Sequence, residues 1–361
     1  MIKRLLLGLG ISGMLLTLAA CQPKEEPKEL VQMALTNTIK TSGFNIRSSG
    51  NFNVDFGSAA EGEVKELGLD KKMKINYAIK GAIDFTKKQA EQRFSLTFPY
   101  NSHSYTFKTN VHLNEKEKQL AIDNNSLLNA VHTMWDIIQG QQLIGKLTNE
   151  QKTDITHVIS YLDLKLKNTN TLFNTNDMYT SSPTKEMKKE AGQLKRILNW
   201  IPKEAYSYSK DKKGHYGHIL ISLTDTQTKE VIESVIKETY KVDKKIGHEK
   251  EQKQALKDHL NFFKEESKIM KFKKVHLSIL VNEQKQIVDV NSDISLEIDL
   301  EDNKNKPFKY SFTNHLTFSH YGKPMFYLPI KSNKNLSLEE VVSIVNSKMN
   351  QITAKYMQTN E

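Results

Sequence analysis

Met73–Phe85 reads MKINYAIKGAIDF, and its odd-numbered residues, Met73, Ile75, Tyr77, Ile79, Gly81, Ile83 and Phe85, are apolar or small. The even-numbered ones include Lys74, Asn76, Lys80 and Asp84, with Lys72 just ahead. Side chains of an extended chain alternate between two faces, so this period of two describes a long strand with one dry face. Such a strand spans about 40 Å. The pattern continues on both sides. In Phe44–Phe56 the apolar residues Phe44, Ile46, Phe52, Val54 and Phe56 all fall on even positions, and a small-residue loop, Gly57–Gly68, follows. Phe94, Leu96 and Phe98 lead into the turn Pro99-Tyr100-Asn101-Ser102. Tyr105, Phe107, Val111 and Leu113 come next, then the turn Asn114–Lys118, then Leu120 and Ile122. Repeated one-faced strands joined by short turns predict an antiparallel sheet.

Alternation returns near the C-terminus. Val275, Leu277, Ile279 and Val281 precede the turn Asn282–Lys285. Val288, Val290, Ile294, Leu296, Ile298 and Leu300 share one parity, as do Phe308, Tyr310, Phe312, Leu316 and Phe318. Between the strand blocks the period changes to that of helices. Leu127, Leu128, Val131, Trp135 and Ile138 form one stripe. Thr148-Asn149-Glu150-Gln151 has the spacing of a capping box ahead of Ile155, Val158, Ile159 and Leu162. Asn168–Ser182 reads as polar loop, and Met187, Ala191, Leu194, Leu198 and Ile201 as another stripe closed by Pro202. Tyr206–Leu223 reads as a hairpin, followed by helices carrying Val231–Tyr240 and Ala255–Phe263. A helix over Glu29–Ile39 opens the fold, and one from the capping box Ser337-Leu338-Glu339-Glu340 closes it. The expected fold class is α+β: a long curved antiparallel sheet, half-barrel-like, with amphipathic helices packed on its apolar face. Residues 30–361 make a single large domain, or two sheet halves of about 30–201 and 202–361. The repeated order of strands and helix hints at a duplication, though no residue-level identity establishes one.

The first residues carry a different message. Lys3 and Arg4 precede an apolar run from Leu5 to Ala20, broken by Gly8, Gly10 and Gly13, and the run ends Leu18-Ala19-Ala20-Cys21. A cationic start, a short apolar stretch and small residues at its end describe a secretory signal peptide over 1–20. The final tetrapeptide resembles the lipobox of bacterial lipoproteins. The resemblance implies cleavage between Ala20 and Cys21, a diacylglycerol thioether on the Cys21 thiol and acylation of the new amino group. Cys21 is then the lipidation site and 21–29 a lipidated tether, with the bilayer as the partner of the anchor. Gln22 is not Asp, which by resemblance to lipoprotein sorting implies the outer membrane, facing the periplasm. Cys21 is the only cysteine, so an acylated chain has no disulfide and no thiolate chemistry.

The chain has 361 residues and a formal net charge of +10, carried mostly by lysine interleaved with acids. That pattern describes a solvated surface with a mild attraction to anionic lipid headgroups. It lacks the arginine patches and interleaved aromatics of a nucleic-acid binder, and no nucleic-acid partner is expected. His215-Tyr216-Gly217-His218 holds the one close histidine pair, but residues three apart on a strand face opposite ways. Asp299, Glu301 and Asp302 lie at a turn and read as solvated. With no nucleophile elbow, HExxH or phosphate-cradling loop, neither an enzyme, a cofactor nor a metal is expected.

A one-faced sheet must bury that face, and incomplete cover leaves an apolar groove suited to an acyl chain. Val275–Pro329 has a strand, the polar turn Asn282–Ile287, two long strands, and Thr317-Phe318-Ser319-His320-Tyr321-Gly322-Lys323-Pro324 running to Leu328-Pro329. This stretch resembles the periplasmic lipoprotein carriers (LolA-, LolB- and LppX-like). The resemblance implies a curved half-barrel that binds lipid or lipoprotein acyl chains. The helical middle, Asn124–Ile201, departs from that plan. The expected function is binding of a lipid or acyl chain between sheet and helices. The alternative is a non-catalytic envelope scaffold or protein-interaction lipoprotein with a filled core.

Overall fold

The structure, a computed structural model, describes residues 25–57, 70–100, 103–140, 147–174, 192, 194–209, 216–242, 249–299, 307–327 and 334–358. Cys21 and the rest of the leader lie outside them. In chain order the elements are α1 (Pro27–Lys40), β1 (Gly43–Asp55), β2 (Lys72–Asp84), β3 (Gln89–Tyr100), β4 (His103–Asn114), β5 (Gln119–Asp123), α2 (Asn124–Gly140), α3 (Asn149–Leu166), β6 (Asn170–Asn174), β7 (Tyr206–Tyr208), β8 (Gly217–Ser222), α4 (Asp225–Val242), α5 (Glu249–Ile269), β9 (Met270–Val281), β10 (Ile287–Ile298), β11 (Phe308–Ser319), β12 (Asn335–Ser337) and α6 (Leu338–Gln358). The fold is α+β. Twelve strands follow the order β12-β6-β5-β4-β3-β2-β1-β11-β10-β9-β8-β7, mostly antiparallel, with β12 parallel to β6. By contact the chain divides into two compact units, one of Met1–Lys40 with Lys189–Ile294 and one of Thr41–Lys188 with Ser295–Glu361. Both are built from separate chain segments, which a reading in chain order does not reach.

In the unit built on Lys189–Ile294, α1 covers β7, β8 and β9. Its stripe Leu30, Val31, Ala34 and Leu35 is buried, as are Ile219, Ile221, Val275, Ile279 and Val281 on the strands. Spacing of three and four residues puts the helix side chains on one face, and alternation does the same for the strands. Thr38 Oγ1 accepts a hydrogen bond from the Ile287 amide at 3.0 Å, tying the end of α1 to the start of β10. The start of α1 is pinned more tightly than a polar tether over Gln22–Glu29 implies. Glu25 pairs with Lys285 and accepts from Tyr216 Oη at 3.0 Å, while its carbonyl accepts from Tyr208 Oη at 2.7 Å. Lys28 donates to the Asn199 and Ile201 carbonyls, and the helix begins at Pro27, whose missing N–H costs nothing at that position.

The second unit carries the longest ladder. β1 pairs with β2 from Gly43↔Asp84 to Asp55↔Lys72, and with β11 from Asn45↔Ser319 to Asp55↔Lys309. The hairpin turns share a device. Asp84 and Asn114 accept backbone N–H bonds at their opening, and Lys88 and Lys118 take left-handed conformations at their close. The other unit repeats it with Asn282 and Lys285. β5 covers only 111–114 of β4, and α2 serves the rest of that edge. Lys108 and Asn110 donate their amides to Asn129 Oδ1 and Ser126 Oγ, and Thr133 donates to the Thr106 carbonyl. Covering an edge with a helix removes a template for unwanted strand pairing.

Asn168–Ser182, expected as loop, contains β6. Asn124 holds it: its Nδ2 donates to Thr169 Oγ1 at 2.8 Å and its Oδ1 accepts from Thr171 Oγ1 at 2.5 Å. The helices make a core of their own, in which Leu128, Val158, Leu162 and Leu166 meet Leu336 and Val341. Trp135 is buried against Ile159 in an adjoining cluster. Both expected capping boxes form, Thr148 with Gln151 and Ser337 with Glu340.

Candidate functional site: an aromatic face on the central strands

On β1, β2 and β11 the apolar parity of each strand falls on the same face, because the register runs without a slip. Ile46 stands between Gly81 and Phe318, Ser48 between Ile79 and Leu316, and Gly50 between Tyr77 and Asn314. Phe52 stands between Ile75 and Phe312, and Val54 between Met73 and Tyr310. A shift of one residue on any strand would turn its apolar set to the other side.

The two ends of this face differ. At one end Phe44 is buried beneath Phe85, Phe318 and Tyr321, with ring centroids 5.9, 5.5 and 6.1 Å away. Toward the other end the rings are only partly covered. Phe52 packs on Phe312 at 4.7 Å, and Tyr77 lies parallel to Phe312 at 6.2 Å. Phe52 keeps 46% of its surface and Tyr310 38%, and Ile46, Val54, Met73, Ile75 and Phe312 are only half-buried. The helices α2, α3 and α6 pack on one another and on β4, β5, β6 and β12. An exposed aromatic face of this extent gains free energy by covering itself with apolar matter, about 25 cal/mol per Å².

A polar spot interrupts the apolar rows. The Tyr77 ring reaches across β1 at Gly50, and its hydroxyl donates to Asn314 Oδ1 at 2.7 Å. Ser48 Oγ donates to the same oxygen at 2.7 Å. Only glycine fits beneath this bridge. A Cβ at position 50 would stand 2.0 Å from the Thr313 carbonyl oxygen and 2.8 Å from Tyr77 Oη. With Oδ1 of Asn314 occupied by two donors, its Nδ2 is the group left to face solvent or a ligand carbonyl. The face therefore combines an apolar track along the strands with one oriented donor midway, the composition of a site for an amphiphile.

The other sequence candidates fall elsewhere. Cys21 lies outside the described residues, as do His215, Glu301 and Asp302. His218 is engaged by Ser278 at 2.7 Å. Among the described residues no three His, Cys, Asp or Glu side chains gather to hold a metal ion. Leu338 and Val342 on α6 are exposed and line a shallow groove with Glu339, Ser343 and Asn346. Gly50 and Asn314 were not singled out from sequence. The available signal was a glycine and an asparagine on otherwise apolar parities, at Gly50 in Phe44–Phe56 and Asn314 in Phe308–Phe318. Set against known proteins, the chain matches no family model and no curated protein sequence.

Proposed function

We propose that the protein is an outer-membrane-anchored lipoprotein, lipidated at Cys21 and facing the periplasm, that binds a lipid or acyl chain on the aromatic face of β1, β2 and β11. The observation that carries this reading is the half-covered row of Phe52, Phe312, Tyr77 and Tyr310 beside the Asn314 amide. The acyl chain lies along the apolar rows and a carbonyl of its head accepts from Asn314 Nδ2. The protein acts by binding, with no catalytic step. The anchor and the site are separate claims with separate tests. For the site, native mass spectrometry of the chain from Gln22 onward, which keeps every described residue, is expected to show co-purified lipid that Phe312→Asp removes. Apo protein alone, from wild type as from the variant, would sink the binding claim. For the anchor, labelled palmitate is expected to mark the wild-type chain and not Cys21→Ala.

The alternative of an envelope scaffold has one observation in its favour, the exposed Leu338, Val342 and Met349 on α6. It predicts that Leu338→Asp abolishes a protein partner's binding while lipid content is unchanged.

A further inference from the structure

The opposite face of the same strands carries an arrangement that folding alone disfavours. The register sets Arg47 on β1 directly opposite Lys80 on β2, and Lys80 directly opposite Arg93 on β3. Three cations thus stand side by side across three adjacent strands, at intervals of about 4.8 Å. Like charges directly opposite one another destabilise a sheet. All three side chains are exposed. Among the described residues Arg47 and Lys80 hold no carboxylate, and Arg93 donates one N–H to the Tyr327 carbonyl. The row ends in neutral groups, Thr317 beside Arg47 and Asn110 beside Arg93. Glu91, in the neighbouring row, is buried and engaged by the Tyr327 amide. On the other side the neighbouring row is Ser49, Ala78 and Ser95, too short to screen the cations.

A second observation lies beside the first. After β11 the chain crosses this face as a strap. Asn45 clamps it with a pair of hydrogen bonds, Nδ2 to the Met325 carbonyl at 2.7 Å and Oδ1 from the Met325 amide at 2.8 Å. Glu91 and Arg93 hold Tyr327 in the same way. The strap leaves Met325 half exposed, at 50%, and Tyr327 at 37%. Exposed cations flanked by an exposed thioether and a tyrosine match the chemistry of a membrane surface, where phosphates meet the first acyl carbons. The three cations stand in one row across three adjacent strands, a spacing that suits an extended anionic surface better than a small anion.

We infer that this face of β1, β2 and β3, with the strap residues Met325 and Tyr327, is a docking surface for anionic lipid headgroups. The inference does not depend on lipidation of Cys21 or on a ligand at the aromatic face, and its test uses the unlipidated chain from Gln22 onward. In flotation assays at about 0.15 M salt, the chain binds vesicles of phosphatidylcholine mixed with phosphatidylglycerol and not phosphatidylcholine alone. Each basic residue near such a surface contributes about fivefold in affinity, so the triple variant Arg47→Gln, Lys80→Gln, Arg93→Gln binds roughly 100-fold more weakly. Lys80→Gln alone raises the melting temperature by about one degree, because it relieves repulsion on both sides; this separates a binding role from a structural one. Equal binding to both vesicle types, or an unchanged triple variant, overturns the proposal. So does saturable binding of inorganic phosphate that blocks the vesicles, which would make the row a small-anion site.

Discussion

Gly50 is fixed by what lies on either side of it. A methyl group there would force Thr313 and Tyr77 away and open the ladder between β1 and β11. Overpacking of this kind costs about 1–3 kcal/mol, so Gly50→Ala is expected to lower the unfolding free energy measured in urea by that amount and to weaken lipid binding through Tyr77. The hairpin lysines behave in the opposite sense. Lys118 holds a φ of +54°, a conformation that costs a side-chain-bearing residue about 1 kcal/mol relative to glycine. Lys118→Gly is expected to stabilise the protein by up to that amount in the same assay. Glu25 gives a pH signature. Hydrogen bonds from Lys285 and its own backbone, and then from Tyr216, lower its pKa from 4.5 to about 2. A carboxylate with a lowered folded pKa stabilises the fold above its unfolded pKa and loses that contribution as pH falls through the folded one. Melting temperatures of the wild type should therefore decline between about pH 4.5 and about 2, and the decline should be shallower in Glu25→Gln.

At the scale of elements, the long strands were legible because a period of two survives wherever one face is dry and the other wet. Met73–Phe85 and Phe44–Phe56 each match the observed strand to within a residue. The capping boxes at Thr148 and Ser337 were legible for a similar reason, since their partners are three residues apart. Thr224 and Gln227 form another such box, with the Thr224 amide donating to Gln227 Oε1 and the Gln227 amide to Thr224 Oγ1. Its sequence, TDTQ, carried the same signal unread. β6 was not legible. Its residues, NTLFN, are polar at both ends, and its strand character comes from β5, β12 and the buried Asn124, all distant in sequence. Asn124→Ala is expected to remove the clamp on Thr169 and Thr171 and leave buried hydroxyls short of a partner. That costs about 1–3 kcal/mol, and amide exchange should show β6 opening ahead of β4. The candidate site was half legible for the same reason. Phe52, Tyr77, Tyr310 and Phe312 announce an apolar face one strand at a time. That Gly50, Tyr77 and Asn314 share one row is a fact of register that brings Asn314 to residues more than 200 positions before it, which no local pattern encodes.

At the scale of the whole molecule, the order of the chain matters less than where its start is held. Glu25 is fixed by Lys285, Tyr208 and Tyr216, and Lys28 by the carbonyls of Asn199 and Ile201. If Cys21 is acylated as proposed, only the three residues Gln22–Lys24, and not the eight of Gln22–Glu29, separate the lipid from the pinned Glu25. Fully extended, that leash reaches only about 14 Å from the Cys21 to the Glu25 Cα. On that proposal the unit carrying Tyr208, Tyr216 and Lys285 is expected to stay near the headgroups through covalent reach, whatever its surface prefers. A fluorophore on Lys203→Cys in the lipidated protein, made with Cys21 intact, should be quenched by spin-labelled headgroups. Lys203 pairs with Glu26 at 2.6 Å, so it reports on the pinned end of α1. A flexible insert of about ten Gly/Ser residues ahead of Glu25 adds roughly 16–19 Å of root-mean-square reach and should relieve the quenching. Glu25→Gln combined with Lys28→Gln should do so in part, by freeing the first turn of α1. Quenching that ignores the insert would mean that the surface of this unit, and not the leash, holds it to the bilayer.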